Sequence, residues 1–161
     1  MTSCRTSIID CYLGRWGTAG LEFLLLRRSP AGRCAGSWEA VHGHIDRGEQ
    51  PVQAALREVL EETGLVPERL YNLSRVEFFY QHESDEIAMI PVFAGLAAPG
   101  SRVVRGPEHD DHAWLSADDA RQRCAWPRER RAIDDILFLL GRGDAGAVED
   151  VLRIDPPESS P

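Results

Sequence analysis

The sequence predicts a mixed α/β fold. Runs rich in β-branched, aromatic and leucine residues alternate with turn signals, while two other segments repeat apolar residues at the three- and four-residue spacing of a helix face. With 161 residues and 43% hydrophobic side chains, the chain is large enough for one domain with a sizeable core.

The first strands are Ser7 to Leu13 and Leu21 to Arg27, a hairpin around the turn-rich GRWGTAG. A glycine-bearing loop, SPAGRCAGS, leads to Trp38 and a short strand. The first helix runs from Pro51 to Thr63, because Val52, Ala55, Leu56, Val59 and Leu60 recur on one face. Pro51 suits the first helical turn and Gly64 the position just past the end. Leu70 to Tyr80 and Glu86 to Ala94 are strand-like around the polar QHESD, and His112 to Leu115 adds a last strand. Ser116 has the character of an N-cap, with Asp119 three residues on, for a short helix through Arg123. Ile133, Ile136, Leu137 and Leu140 give the final long helix its apolar face. The expected domain covers 1–145, and 146–161 reads as a polar Pro/Ser-rich tail, partly disordered.

The segment GHIDRGEQPVQAALREVLEETGL carries the chemistry. On the predicted helix, Glu58, Glu61 and Glu62 share one sector, set roughly opposite the apolar stripe. Like charges at these spacings repel, and two of them stand in the last turn, where the helix dipole disfavours negative charge. A hard divalent cation would offset both costs, since Mg²⁺ takes carboxylate oxygens and bridges to phosphates.

Gly43, Glu49, Arg57, Glu58, Val59, Glu61, Glu62, Gly64 and Leu65 fit the pattern G-x5-E-x7-R-E-U-x-E-E-x-G-U, where U is aliphatic. This resembles the Nudix box, complete at every defined position, and looser similarity extends from about Ser7 to Leu140. The resemblance implies a Nudix-type α/β/α sandwich with a mixed sheet, in keeping with strands flanked by helices. It also implies hydrolysis of a phosphoanhydride in a nucleoside diphosphate derivative, with Mg²⁺ or Mn²⁺ as cofactor. Carried over by position, Glu58 and Glu62 are the main metal ligands and Glu61 a further or water-mediated one. Arg57 and Glu49 become a supporting pair. The backbone carbonyl of His42 is an additional candidate ligand, where many relatives have glycine. For the general base the candidates are Glu58 and, in PEHDDHAW, Glu108.

Substrate identity depends on residues outside the box. Arg27, Trp38, His44 and Tyr80 are the candidate substrate contacts. In VEFFYQ, Phe78 and Tyr80 share the face opposite Phe79, so only one set can line a cleft. SWEAVHGHID, DEIAMIPVFAG and the EH before Trp114 resemble the nucleoside triphosphate and dATP pyrophosphohydrolase-like branch. Dinucleoside polyphosphates and dihydroneopterin triphosphate are the alternatives. A non-catalytic nucleotide-sensing domain is the alternative of another class, against which the intact box speaks.

A net charge of −8 argues against long nucleic acid as a partner but leaves a nucleotide or another small diphosphate compound open. Cys4, Cys11, Cys34 and Cys124 lack paired zinc or redox spacing, and the five histidines are scattered over loops. With no membrane-spanning run or signal-type leader, the expected location is cytoplasmic. Nothing in the chain decides between monomer and homodimer.

Overall fold

The computed structural model describes residues 1–155. Its elements are β1 (Ser3–Arg5), β2 (Ile8–Gly17), β3 (Gly20–Arg28), β4 (Trp38–Glu39), β5 (Val41–His44), α1 (Pro51–Thr63), β6 (Arg69–Gln81), β7 (Glu86–Leu96), β8 (His109–Ser116), α2 (Ala117–Arg123) and α3 (Pro127–Leu140). A single turn of 3-10 helix (Gly146–Val148), α4 (Glu149–Leu152) and β9 (Arg153–Ile154) follow. The nine strands form one mixed sheet with a central order β4-β3-β2-β7-β6-β9, while β8 pairs with β3, β5 with β2 and β1 with β7. The β2–β7 pairing is parallel and β6–β7 antiparallel.

Helices cover both faces, as an α/β/α sandwich requires. On one face Ala54, Ala55 and Val59 of α1 pack against Ile9, Cys11 and Leu13 of β2. On the other, Ile133, Ile136 and Leu140 of α3 cover Tyr12, Phe23 and Val92. Adjacent β2 side chains thus serve opposite layers, the period of two expected of a strand. Full burial of a side chain such as Ile133 or Val59 stabilises the fold by about 1.5–3 kcal/mol.

Helix α1 has the predicted bounds. Gly64 closes it in the left-handed region at φ 68°, and its N–H donates to the Leu60 carbonyl at 2.8 Å. Of the predicted face, Ala55 and Val59 are buried and Val52 and Leu56 pack against the core, but the buried side is rotated at its edge. Leu60 is 52% exposed, whereas Glu62 is buried. At about 100° per residue, Glu58 and Glu62 lie inside the arc bounded by Ala54 and Val59. The two carboxylates therefore face the sheet with the alanines, not the solvent opposite an apolar stripe. Small alanines allow this close approach, and Leu60 is left outside it.

The β2–β3 strands run through GRWG to a turn at Thr18 and Ala19, longer than predicted, because Trp16 pairs with Leu21 and Gly17 with Gly20. Strand β1, exposed throughout, has no apolar alternation to reveal it. Beyond residue 145, Leu152 is buried, the Tyr71 hydroxyl donates to Glu149 Oε1 at 3.0 Å, and β9 pairs with Leu70 and Tyr71. The first part of the expected tail is thus folded against β6, and 156–161 lie outside the described residues. Among the described residues, no helix is long and apolar enough to cross a membrane.

Candidate active site

Strands β2 and β3 pair only between Gly14–Gly17 and Gly20–Phe23. Farther along, β2 takes β5 as its partner and β3 takes β4, so the sheet splits. A cavity of about 470 Å³ lies at this split, bounded by Arg28, Glu39, His42, Gly43, Glu58 and Glu62, with Phe79 and Trp126 on the side of α3. The box glycine is dictated by contact. A Cβ on Gly43 would lie 2.0 Å from Glu58 Cδ, so only glycine lets the Glu58 side chain cross β5.

Arg57 organises the carboxylates around it. Its Nε and Nη2 donate to the two Glu49 oxygens at 3.0 and 2.9 Å. Its Nη1 reaches Glu58 Oε1 at 2.8 Å and Glu61 Oε2 at 3.3 Å, and Nη2 also donates to the His44 carbonyl at 2.8 Å. A planar guanidinium with five N–H groups can do this, where a lysine could not. The hydrogen bonds of Glu49 and then Glu58 raise the Arg57 pKa, and the same Arg57 bond lowers that of Glu49. The loop and helix are thereby joined.

Glu62 is different. It is 7% exposed, and its Oε2 has no hydrogen-bond partner among the described residues. Burial, followed by the charges of Glu58, Glu108 and Glu39, pushes its pKa up to about 9, against a smaller lowering by Arg28. Arg28 Nη1 stands 3.1 Å from Glu108 Oε2 and 3.4 Å from Glu39 Oε1, its charge shared between them. His109 is buried with Nε2 3.8 Å from Glu39 Oε1, and neither ring nitrogen has a hydrogen-bond partner among the described residues.

The three box glutamates are not gathered into one cage. Among the described residues, no three His, Cys, Asp or Glu side chains already converge as a metal site. Arg57 holds Glu58 and Glu61, Glu61 is largely exposed, and Glu62 is turned inward. An orphaned carboxylate oxygen beside further carboxylates nevertheless fits a divalent cation. Mg²⁺ commonly binds through one or two carboxylates, with waters and substrate phosphates completing its shell.

Of the other sequence candidates, His42, His44 and Glu108 border the cavity, whereas Arg27, Trp38 and Tyr80 do not. Arg27 is paired with Asp110 at 2.7 Å, since the alternation of β3 sends its neighbour Arg28 inward. Trp38 is covered by Arg123, 4.9 Å from its ring. Tyr80 lies 54% exposed and bonds Asp85, so Phe79 is the aromatic of β6 that lines the cavity. His42 sits in regular β5, paired in register with Asp10, and has no left-handed backbone that would call for glycine. Residues that sequence reasoning missed as site residues include Asp10, Glu39 and Arg128, whereas the strand-end Arg28 and the aromatic Phe79 and Trp126, open to a substrate role on sequence grounds, do line the cavity. The alternation in VEFFYQ separates Phe79 from Phe78 and Tyr80 without deciding which set faces the cleft, and no local signal marks Asp10 or Arg128.

Comparison with known proteins agrees with this fold. The model of the NUDIX domain matches residues 14–136. Over 136 residues the chain is 32% identical to an octanoyltransferase of Myxococcus xanthus, an alignment covering 80% of this chain. The chain spans about a third of that relative's length, 35%. It is 33% identical over 117 residues to the asymmetrical bis(5'-nucleosyl)-tetraphosphatase of Rattus norvegicus, covering 71% of this chain and 78% of the relative. Among solved structures, a C. elegans Ap4A hydrolase binary complex superposes with a TM-score of 0.69 at 23% identity, covering 83% of this chain and 96% of that one. This likeness establishes a shared fold. With the family model covering most of its length, the chain belongs to the NUDIX domain family.

Proposed function

We propose that the protein hydrolyses a phosphoanhydride bond in a nucleoside diphosphate derivative. The observation that carries this reading is Glu62, a buried carboxylate oxygen without a hydrogen-bond partner among the described residues, set beside Glu58 in a complete box. Glu62 and Glu58 are the residues that would hold the cation, Glu61 would assist from the exposed edge, and the His42 carbonyl is a further candidate ligand. Bound there, Mg²⁺ or Mn²⁺ supplies positive charge against the phosphate oxygens. Arg57 and Glu49 keep the loop and helix in register. A water oxygen bonds to phosphorus, the bridging P–O bond breaks, and a carboxylate takes the water's proton. Glu58 and Glu108 are the two candidates for that base, and Arg28 orients Glu108 at the cavity rim.

A nucleoside triphosphate is the first substrate reading, from the resemblance of the flanking segments to the dATP pyrophosphohydrolase-like branch. A dinucleoside polyphosphate is the second, favoured by the 33% identity to the rat tetraphosphatase. His44 stands at the cavity as a substrate contact. The deciding measurement is phosphate release from a nucleotide panel with Mg²⁺ or Mn²⁺, coupled to a phosphatase. Turnover by the wild type and its loss in Glu62→Gln are expected. Full activity in that variant refutes the mechanism, and nucleotide binding with no turnover of any member would make the domain a sensor.

A further inference from the structure

The part of the cavity next to α3 holds a side-chain arrangement that the hydrolytic step does not use. Asp10 on β2 is 2% exposed, and both of its oxygens are engaged. Oδ1 lies 2.5 Å from His42 Nδ1, and Oδ2 accepts from Arg128 Nε at 2.7 Å. Asp10 is thus a buried anion aiming two cavity-lining side chains.

The geometry of Arg128 determines what it can offer. It engages Asp10 side-on, through Nε and a longer 3.5 Å contact from Nη2. This leaves the end-on pair of N–H groups, one each on Nη1 and Nη2, and Nη1 has no hydrogen-bond partner among the described residues. The guanidinium lies 5.0 Å from the Trp126 ring, whose edge-to-face partner is Phe79 at 6.3 Å. Phe79, 42% exposed, leaves ring surface available for stacking.

Two considerations select the ligand chemistry. The charge of Arg128 is already balanced by Asp10, so its remaining donors do not require a formal anion. Two parallel donors beside aromatic walls also match a planar ring bearing two adjacent acceptors. We propose that Arg128 reads the base of the nucleotide, favouring a 6-oxopurine through its O6 and N7, and that Asp10 is the positioning residue that aims it. Adenine places an amino donor at position 6, opposite an N–H of Arg128. The Gln81 amide at the cavity would suit adenine, but no side-chain hydrogen bond among the described residues holds it, whereas Arg128 is clamped. The proposal rests on the nucleotide reading above and departs from the adenine base suggested by the dATP-like resemblance.

The test is calorimetric binding of IDP and ADP, which differ at position 6, to the full chain without divalent metal. Wild type is expected to bind IDP about tenfold more tightly. Arg128→Lys keeps the charge but loses the paired donors, and should bring the affinity ratio close to one by weakening IDP. Asp10→Asn, with its unfolding midpoint checked, should lower the same ratio although Arg128 is intact. A ratio is insensitive to a fraction of unfolded protein, so a merely structural role for Asp10 would not move it. The proposal is overturned by equal affinities in wild type, by preference for ADP, or by no detectable binding of either nucleotide. Equal weakening of both ligands in Arg128→Lys, as a phosphate contact would give, overturns it too. Hydrolysis is not the readout, so failure of the nucleotide panel and failure of base reading remain distinguishable.

Discussion

Replacing Gly43 by alanine adds one methyl group and tests the placement of Glu58. The new Cβ would meet Glu58 Cδ at 2.0 Å and Cγ at 2.2 Å, whereas ordinary contact begins at 3.4 Å. Glu58 must therefore retreat by about 1.4 Å or rotate away, breaking its 2.8 Å bond from Arg57. The backbone at Gly43 has no left-handed φ, so alanine causes no strain of its own. The stability cost is then limited to one partly buried hydrogen bond, about 1–2 kcal/mol. A displacement of about 1 Å at a reacting centre can cost about 10²-fold in rate, so kcat/KM should fall by that order while the fold persists. Steady-state hydrolysis of the best panel substrate, with denaturant unfolding of the same sample, measures both. The double variant isolates the cause: in a Glu58→Ala background the methyl has nothing to strike, and Gly43→Ala should cost no further activity. Wild-type kcat/KM in Gly43→Ala, or fully additive losses in the double variant, would refute Glu58 as the group through which the substitution acts.

Glu108→Gln should lower kcat by about 10²-fold or more and remove one limb of the pH–rate profile if Glu108 is the base. Matching wild-type and variant profiles would instead leave that role to Glu58. Glu129, buried on α3, accepts from the Ala40 N–H at 2.7 Å, and burial raises its pKa from 4.5 to about 8. Between these values the folded chain holds a proton that the unfolded chain has released. This contribution to stability is complete below pH 4.5 and is lost as pH rises through about 8, on the order of 5 kcal/mol in all. Glu129→Gln should flatten that decline in urea-unfolding free energies, and an unchanged slope would show that Glu129 is not its source.

Local sequence determined the elements whose causes are local. Period-two runs gave the main strands, Pro51 and Gly64 bounded α1, and Ser116 caps α2 by accepting from Asp119 N–H at 3.2 Å. The spacing from Gly43 to Leu65 was sufficient to mark the helix of glutamates and its arginine, because those contacts lie within a few turns of one another. Only the tertiary structure decided that the buried side of that helix takes in Glu62 and leaves out Leu60. Glu62 lies inward because alanines let α1 approach the split between β2 and β3, and that split comes from strands distant in sequence. The same distance hid Asp10, which meets His42 and Arg128 across 32 and 118 residues. A folded C-terminal strand was hidden likewise, since β9 is two residues long and exists through pairing with Leu70 and Tyr71. Side-chain periodicity encodes what a residue's neighbours along the chain require. Which charges meet across the sheet is settled by strand register and helix approach, and these arise only when the whole core packs.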